Sequence, residues 1–542
     1  VYRPRGVTAR RPVILTMTPY VADSYHDRGR FFAAHGYVFA IVDVRGRGNS
    51  RGRFAPFERD GRDGHDAVQW LARQPWADGR VVMWGGSYAG FVQWAVAAER
   101  PPALRAIAPA AAVFPGHDWP FLGGIRFLSS TLWLAETAGR TANERWGGDD
   151  AYWLGKTAQL YADTLPFAAH ARLAGLSDDA QRLWERWLAH APGDAWWAAR
   201  TPTPAQYAAI DIPVLTITGT LDVDQPGALR YHAAHRRHAS TVARGRHRLV
   251  IGPWDHAETR TPRGAAYGLR FGAASVWSID SLLLGWYAHA LDGTPLPSRI
   301  AAPVMYFVAP DGGWRGAESL HVIATDSLRY VLAGGDGRVG RRGWGALRSD
   351  ARGAVPPTGA DTLRWHAADP RAVARDLAAP PFSAIDTSRV ATLDDDGLVL
   401  ESAPLARPAT IVGAPVVEIA LLPSALQADV AIDLYALLPD GASVWLAGDQ
   451  RRVRRPDTAR CTDPSASLSF AAFRWTARTL PAGTRLRFVL SHPNRALYEP
   501  NPGGAGAPHR QPASAAPATA LVVCRGGRLA IPLAHAGPTD AR

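Results

Sequence analysis

Residues 81–90 of this 542-residue chain read VVMWGGSYAG, and the sequence continues as FVQWAVAA to residue 98. A short apolar run leads into a glycine-flanked serine, and an apolar segment with helical spacing follows. This order of strand, sharp turn and helix is typical of a nucleophile elbow. Ser87 is therefore the candidate nucleophile, and the backbone N–H of Tyr88 is a candidate donor to an oxyanion.

The elbow departs from the usual pattern at one position. Glycine usually stands two residues before and two residues after the serine. Here Gly85 precedes Ser87, but Ala89 follows it and the second glycine is Gly90. The alternative interpretation is a tight strand-to-helix connection without a catalytic role, so the rest of the chain must decide.

The length and composition of the chain limit the number of domains and the classes of binding partner. A chain of this length predicts two or three domains. Its 47% hydrophobic and 20% charged residues are ordinary for a globular protein, and no apolar run reaches the roughly 18 residues of a membrane span. The net charge is +12, but the arginines are spread along the chain, with one tight group at residues 451–455. We therefore predict no nucleic-acid partner, since such binding needs a clustered basic face.

The sequence does not determine the cellular compartment or the oligomeric state of the protein. Cys461 and Cys524 allow one disulfide or none and do not fix a redox compartment. The chain opens on VYRP, which is typical of the end of a strand, so we expect the native N-terminus to lie upstream. Whether the protein is cytoplasmic or exported depends on any targeting segment there. A homo-oligomer is compatible with the sequence.

Strand-like and helical runs alternate in the first part of the chain, which predicts a mostly parallel sheet covered by helices. The β-rich runs are 13–17, 38–42, 81–84, 104–110, 212–218 and 249–252, and the helical runs are 63–71, 91–98, 227–236 and 275–291.

Two other sequence patterns occur. One lies within this alternation and the other follows it. Between residues 114 and 200 the strand pattern vanishes and eight tryptophans occur, which predicts a helical insertion. Its tryptophans form either a small core of their own or a cap lining an apolar acyl pocket. After Pro295, short β-rich runs beginning with 304–308 are separated by glycine and proline, which predicts a β-sandwich or jelly roll without helices.

We therefore predict an α/β hydrolase with an inserted helical cap and a C-terminal all-β jelly-roll domain. The hydrolase domain comprises residues 1–113 and 201–296, the cap residues 114–200, and the jelly roll residues 297–542.

A serine nucleophile needs a base, and the base needs a carboxylate to orient it. In open α/β sheets these groups lie beyond the carboxyl ends of strands. One predicted strand ends in GTLD at residues 219–222, and the next ends in PWDH at residues 253–256. The order Ser87, Asp222, His256 is that of an α/β-hydrolase triad. Asp224 and Asp255 are rivals for the acid.

Five segments together resemble the cocaine esterase and X-Pro dipeptidyl-peptidase group of serine hydrolases, the CocE/NonD type, which includes α-amino acid ester hydrolases. They are TPY at 18–20, DVRGRGNS at 43–50, GGSYAG at 85–90, GTLD at 219–222 and GPWDH at 252–256. In that family tyrosine follows the serine and the glycine lies three positions after it, so Gly90 fits the family pattern. The resemblance covers nearly the whole chain and implies the same three-part architecture.

The resemblance also implies further site residues. Tyr20 would donate its phenol to the oxyanion beside the Tyr88 N–H. The α-amino acid ester hydrolases hold the substrate ammonium with a carboxylate cluster, for which this chain offers Asp118 and Asp224 but has Gln225 at a third position. Trp119 and Trp254 stand beside these motifs, and we expect them to contact the substrate as well.

The predicted activity is hydrolysis of carboxylic ester or amide bonds in small acyl substrates through an acyl-enzyme, without a cofactor or a metal. Three alternatives remain. One is selection of an ammonium group, as in an α-amino acid ester hydrolase or acyltransferase or an X-Pro dipeptidyl aminopeptidase. Another is acyl transfer to an acceptor other than water. The last is a carbohydrate- or partner-binding protein with a vestigial hydrolase domain.

Overall fold

The computed structural model describes residues 1–21, 25–141, 149–335, 344–350, 357–379, 383–385, 387–457, 460–514 and 518–534. Trp146, one of the cap tryptophans, lies outside these ranges. None of the helices within them combines the length and the apolar character that a membrane crossing needs.

An eight-stranded sheet forms the first part of the chain. From one edge to the other its strands are Gly313–Ala317, Val304–Val308, His247–Gly252, Val214–Gly219, Leu104–Ala110, Ala77–Gly86, Arg11–Thr18 and Val38–Asp43. The first of these strands is antiparallel to its neighbour, and the other pairings are parallel. Parallel strands are buried on both faces, which explains their continuous apolar runs.

Successive residues of the strand Ala77–Gly86 point into two different cores. Val81 and Met83 pack beneath the helix Tyr88–Ala98, whereas Val82 and Trp84 pack on the opposite face. The helices around the sheet are His26–Ala34, Asp60–Ala72, Tyr88–Ala98, Pro204–Ala209, Gln225–His238, Thr241–Gly245 and Ile279–Asp292. Each helical run read from the sequence lies within or overlaps one of these helices.

The insertion after the fourth strand in chain order is mainly helical. Its α-helices are Ser129–Thr137, Asp150–Ala162, His170–Leu173, Asp178–Leu188 and Ala195–Ala198, with two short strands, Phe121–Leu122 and Ile125–Arg126, before them. Trp184, Trp187 and Trp197 are buried within a cluster that continues into the hydrolase core. The cap therefore shares a core with the sheet beneath it.

The C-terminal part is dominated by strands. Thirteen of them form one connected sheet system: Ala324–Gly335, Trp344–Ser349, Ala360–Trp365, Gly397–Ser402, Ala409–Gly413, Val416–Pro423, Gln427–Leu437, Ser443–Arg454, Ser467–Phe470, Thr476–Leu480, Arg485–Ser491, Thr519–Cys524 and Arg528–Ala534. The fold class is thereby confirmed as an α/β hydrolase followed by an all-β domain. Two helices, Pro370–Ala378 and Ser388–Ala391, interrupt the strands, so the expectation of a part without helices was wrong.

One strand was assigned to the wrong sheet. The run 304–308 was grouped with the C-terminal strands, but Val304–Val308 pairs in parallel with His247–Gly252 in the first sheet. The hairpin that it forms with Gly313–Ala317 covers an edge that would otherwise leave backbone groups unpaired. The division of the chain at residues 113, 200 and 296 stays a prediction.

The two cysteines form a disulfide. Cys461 and Cys524 are joined across 63 residues, with their Cα atoms 5.6 Å apart. The bond ties the segment that follows Ser443–Arg454 to the buried end of Thr519–Cys524.

We expect removal of this crosslink to destabilise the C-terminal part. A loop of this length gives a chain-entropy contribution of about 4 kcal/mol to the free energy of unfolding. The double variant Cys461→Ser, Cys524→Ser should therefore unfold at a lower urea concentration than the oxidised protein. Fully reduced wild type is the matched control, and equal urea midpoints for all three proteins would contradict the expectation.

Candidate active site

The backbone of Ser87 is held in a strained conformation, with φ of 60° and ψ of −123°. Its N–H donates a 2.9 Å hydrogen bond to Ala110 O on the neighbouring strand. Small neighbours make the turn possible: a Cβ on Gly85 would lie 2.6 Å from the Ala89 methyl, and one on Gly90 would lie 2.9 Å from Ala110 O. Ala89 can therefore replace the usual glycine, whereas residues 85 and 90 cannot carry a side chain without displacing their neighbours.

Asp222 and His256 meet at the carboxyl ends of two adjacent strands. His256 Nδ1 lies 2.9 Å from Asp222 Oδ1, while Asp222 Oδ2 accepts a 2.8 Å hydrogen bond from Thr218. The Asp224 N–H donates to Asp222 Oδ1 at 3.0 Å. Burial would raise the pKa of Asp222, but the hydrogen bond and charge of His256 and the other donors lower it below its usual value. The carboxyl is therefore ionised and can orient the imidazole.

The two rival acids have different surroundings. Asp224 Oδ2 is 3.6 Å from His256 Nδ1, farther than Asp222. Asp255 Oδ1 accepts a 2.8 Å hydrogen bond from the Glu258 N–H and so closes the turn that carries the histidine. Asp222 is the acid in hydrogen-bonding distance of His256.

Ser87 and His256 open onto one cavity of about 490 Å³, which Tyr20 and Tyr88 also line. The side chain of Ser87 is among the interactions that lower the pKa of Tyr20 against the effect of its burial. Among the described residues no hydrogen bond joins Ser87 to His256. Bonds between a nucleophile and its base are commonly long without substrate and tighten when it binds.

The Tyr20 hydroxyl also contacts Trp133, one of the cap tryptophans. Trp133 Nε1 donates to the Tyr20 oxygen at 3.0 Å. The oxygen is thus an acceptor toward the cap, which leaves the phenolic proton free to point into the cavity. Burial raises the pKa of Tyr20 to about 12, so the group stays a protonated donor.

Arg47 fixes the segment that carries Tyr20. Its fully buried guanidinium donates to Pro19 O at 2.7 Å, and on the cap side it donates to Ala138 O at 3.1 Å and to Gly139 O. The side chain thereby joins the residue before Tyr20 to the end of the helix that carries Trp133. It acts as a positioning residue, since it does not line the cavity.

Tyr88 contributes its backbone toward the cavity and its side chain to the core. As the first residue of its helix it has an N–H without an intrahelical acceptor. Its hydroxyl donates to the buried Asp60 carboxyl at 2.9 Å and accepts from the Phe57 N–H at 2.9 Å. Burial raises the pKa of Asp60 to about 7.

The four predicted substrate contacts divide into two groups. Trp119 and Asp224 line the cavity onto which Ser87 opens, whereas Asp118 lines a neighbouring cavity. Both oxygens of Asp118 accept backbone hydrogen bonds, from Phe114 at 2.7 Å and Gly227 at 2.5 Å. Trp254 was wrongly assigned as a substrate contact: its indole is completely buried in the core and donates to Ser275 O at 2.9 Å.

Gln225 occupies the third position of the expected carboxylate cluster, and it has a structural role. Its Nε2 donates to Trp475 O at 2.8 Å and to Gly219 O at 2.9 Å, while its Oε1 accepts from the Trp475 N–H at 2.7 Å. The amide therefore ties the Asp222 loop to the C-terminal part. A carboxylate could not donate to these carbonyls.

A second cavity of about 290 Å³ adjoins the first. Trp119, Val223 and Asp224 line both. The C-terminal part contributes Trp445 and Arg474 to the wall of the second cavity. The all-β part thus forms surface close to the candidate catalytic residues.

Two protein-family models match most of the chain. The X-Pro dipeptidyl-peptidase (S15 family) model matches residues 1–258, and the model of the X-Pro dipeptidyl-peptidase C-terminal non-catalytic domain matches residues 302–529. The chain belongs to the CocE/NonD-type serine hydrolases of this group. It is therefore a serine hydrolase, an esterase or a peptidase.

Individual relatives are distant in sequence. The cocaine esterase of Rhodococcus sp. (strain MB1 Bresler) is 26% identical over 479 residues, which cover 84% of this chain and 81% of the relative. A solved α-amino acid ester hydrolase has a TM-score of 0.79 at 19% identity, covering 98% of this chain and 93% of its own. An aminopeptidase from a marine sediment Thaumarchaeota archaeon has a TM-score of 0.78 at 20% identity, with the same coverage. These two structures show a shared fold.

The buried Asp60 predicts a measurable pH dependence of stability. Its folded pKa of about 7 exceeds the usual value of 3.8, so between these values the folded state binds more protons than the unfolded state. Asp60 therefore makes stability fall as pH rises from about 4 to about 7. Asp60→Asn keeps an acceptor for Tyr88 and removes the loss of stability caused by ionisation of Asp60. The melting temperature of the variant minus that of wild type should therefore become larger as pH rises from 5 to 8.

Asp66→Asn is the matched control, because Asp66 lies on the same helix with its side chain 86% exposed. The measurement is thermal unfolding of the three proteins across this pH range. A difference between Asp60→Asn and wild type that does not change with pH would refute the assignment.

Proposed function

We propose that the chain hydrolyses carboxylic esters or amides of small acyl groups through an acyl-enzyme on Ser87. The observation that carries this proposal is the shared cavity: Ser87, held at a positive φ, opens onto the same space as His256, and Asp222 lies behind the imidazole. Membership of an esterase and peptidase family supports the same assignment.

His256 would accept the Ser87 proton as the oxygen attacks the substrate carbonyl carbon. The carbonyl oxygen then becomes an oxyanion, which the Tyr20 hydroxyl and the Tyr88 N–H would stabilise. His256 would return the proton to the leaving group as the carbon–oxygen or carbon–nitrogen bond breaks. Water, deprotonated by the same imidazole, would finally release the acyl group from Ser87.

The walls of the cavity support small acyl groups with an apolar part. Phe57, Val113, Trp119 and Trp133 line it together with the candidate catalytic groups. Apolar walls exclude water, which strengthens the hydrogen bonds made to a developing negative charge. Such walls also favour acyl transfer, in which an amine or alcohol replaces water as the acceptor.

Selection of an ammonium group is the second candidate. Asp224 favours it, because this carboxyl is 5% exposed and lines both cavities. The bonded state of Asp118 and the neutral amide of Gln225 weigh against it. The cluster that an α-amino acid ester hydrolase would need is thus reduced to one available carboxyl.

The proposed nucleophile is tested with a fluorophosphonate probe. Wild type should become labelled and Ser87→Ala should not, because labelling needs an activated serine. Equal labelling of the two proteins would refute the role of Ser87. No labelling of wild type would favour the alternative of a binding protein with a vestigial hydrolase domain.

The proposed oxyanion donor is tested by Tyr20→Phe. Loss of one such donor typically costs about 3 kcal/mol of transition-state stabilisation, so kcat for a p-nitrophenyl ester should fall by roughly 100-fold with little change in KM. Trp133→Phe removes the bond that orients Tyr20 and should cause a smaller loss of kcat. An unchanged kcat for Tyr20→Phe would contradict the assignment.

The two candidate substrate classes are separated by matched esters. If Asp224 binds an ammonium group, phenylglycine methyl ester should be hydrolysed with a higher kcat/KM than phenylacetic acid methyl ester, and Asp224→Asn should remove the difference. Equal values for the two esters in wild type would exclude ammonium selection. Adding an amine acceptor and measuring the amide product reports acyl transfer in the same assay.

A further inference from the structure

One arginine in the catalytic cavity has no ion-pair partner among the residues that the structure describes. Arg260 follows His256 by four residues and lines the same cavity as Ser87. Its Nη1 atom is buried and makes no hydrogen bond. Its side chain forms no ion pair with any residue that the structure describes. The residue as a whole is half-buried, so its guanidinium has the capacity to bind an anionic ligand in the cavity.

The backbone of Arg260 is held in place by a second arginine. Arg28 Nη2 donates to Arg260 O at 2.8 Å and to Thr261 Oγ1 at 3.0 Å. The Arg28 Nε atom lies 3.0 Å from Asp280 Oδ1, so its own charge is balanced. Of these two cavity arginines, Arg260 is the one with a guanidinium left for a substrate.

The side chain of Arg260 occupies the space left by Gly86. A Cβ built on Gly86 would lie 2.5 Å from both Cδ and Nη1 of Arg260. The guanidinium therefore packs against the residue that immediately precedes the nucleophile. A substrate bound to Ser87 would come within reach of this group.

Within the described part of the chain, two acidic residues line the same cavity, Asp224 and Glu136. Neither forms an ion pair with Arg260 within 4.0 Å. Burial raises the pKa of Asp224 well above its usual value, while the charges of His256 and Arg260 act in the opposite direction. Phe57 and Trp133 contribute large apolar side chains to the lining of this cavity.

We propose that the catalytic cavity selects substrates that carry a carboxylate and that Arg260 binds this group, while the apolar part of the substrate packs against Phe57 and Trp133. The planar guanidinium can donate two parallel hydrogen bonds to a carboxylate, which gives both affinity and orientation. This inference rests on the proposed function, since it takes Ser87 as the nucleophile that the bound substrate approaches.

The test compares acidic and neutral esters of equal length. 4-Nitrophenyl hemisuccinate carries its carboxylate on the acyl side, and the methyl ester of that compound is the neutral control. 4-Acetoxybenzoate carries its carboxylate on the leaving group, and methyl 4-acetoxybenzoate is the control. Wild type should show a higher kcat/KM for the acidic member of at least one pair. The pair that shows this preference also identifies whether Arg260 contacts the acyl part or the leaving group of the substrate.

Arg260→Ala should lower kcat/KM for the preferred acidic ester by roughly 10- to 100-fold, the range for a hydrogen bond to a charged group. Values for the neutral esters should stay within about twofold. Arg260→Lys should restore part of the loss, because it keeps the charge but not the planar fork. Arg263→Ala is the matched control: this arginine lies on the same loop, is 63% exposed and does not line the cavity.

The outcomes separate the two proposals. No preference for either acidic ester in wild type, or equal losses on acidic and neutral esters in Arg260→Ala, would overturn the role of Arg260 while leaving the hydrolase assignment intact. Fluorophosphonate labelling of Ser87 in each variant verifies that the site is folded. Absence of labelling and of turnover in wild type would instead overturn the proposed function.

Discussion

The strained backbone of Ser87 is the constraint on which the rest of the site depends. A non-glycine residue at φ of 60° and ψ of −123° is unfavourable by roughly 1–3 kcal/mol and persists only when its surroundings fix it. The hydrogen bond to Ala110 O and the contacts around Gly85 and Gly90 provide that fixation. Because they come from the neighbouring strand and from the first turn of the following helix, the turn cannot relax without disturbing the sheet.

The parallel sheet determines which groups can meet this serine. Tyr20 follows the strand on one side of the elbow strand, whereas Asp222 and His256 follow two strands on the other side. All of these strands end at the same edge, so residues far apart in sequence converge there. The long side chain of Arg47 then connects the Tyr20 segment to the cap through its hydrogen bonds to Pro19 O and Ala138 O. The position of Tyr20 is thus coupled to that of the cap.

Local pattern predicted the helices and strands of the first sheet up to Gly252 and placed candidate residues at the ends of its strands. The strand 104–110 was predicted to the residue, and Ser87, Asp222 and His256 were proposed as a triad because each follows a recognisable strand. The contacts of Trp133, Arg47 and Gln225 were not predicted because they depend on partners in distant segments: Trp133 bonds to Tyr20, and Gln225 bonds to Trp475. Contacts between segments far apart in the chain leave no periodic pattern in the sequence.

The errors have the same origin. Trp254 directly precedes the Asp255–His256 pair, but the turn directs its indole into the core, where Ser275 O accepts its hydrogen bond. The run 304–308 has the composition of the strands that follow it, yet pairing with His247–Gly252 decides its sheet. Sequence position and composition do not determine the side to which a turn directs a side chain or the edge at which a strand is added.

Two carboxyls two residues apart illustrate how the fold assigns charge within the site. Asp222 and Asp224 are both buried, and burial alone would raise the pKa of each. Asp222 accepts hydrogen bonds from Thr218, the Asp224 N–H and His256, and these donors bring its pKa below the usual value. Asp224 lacks such donors among the described residues, so its pKa stays raised. The two neighbouring carboxyls therefore have pKa values shifted in opposite directions, which means that hydrogen-bond donors, more than the number of acidic residues, determine the electrostatics that an approaching substrate meets.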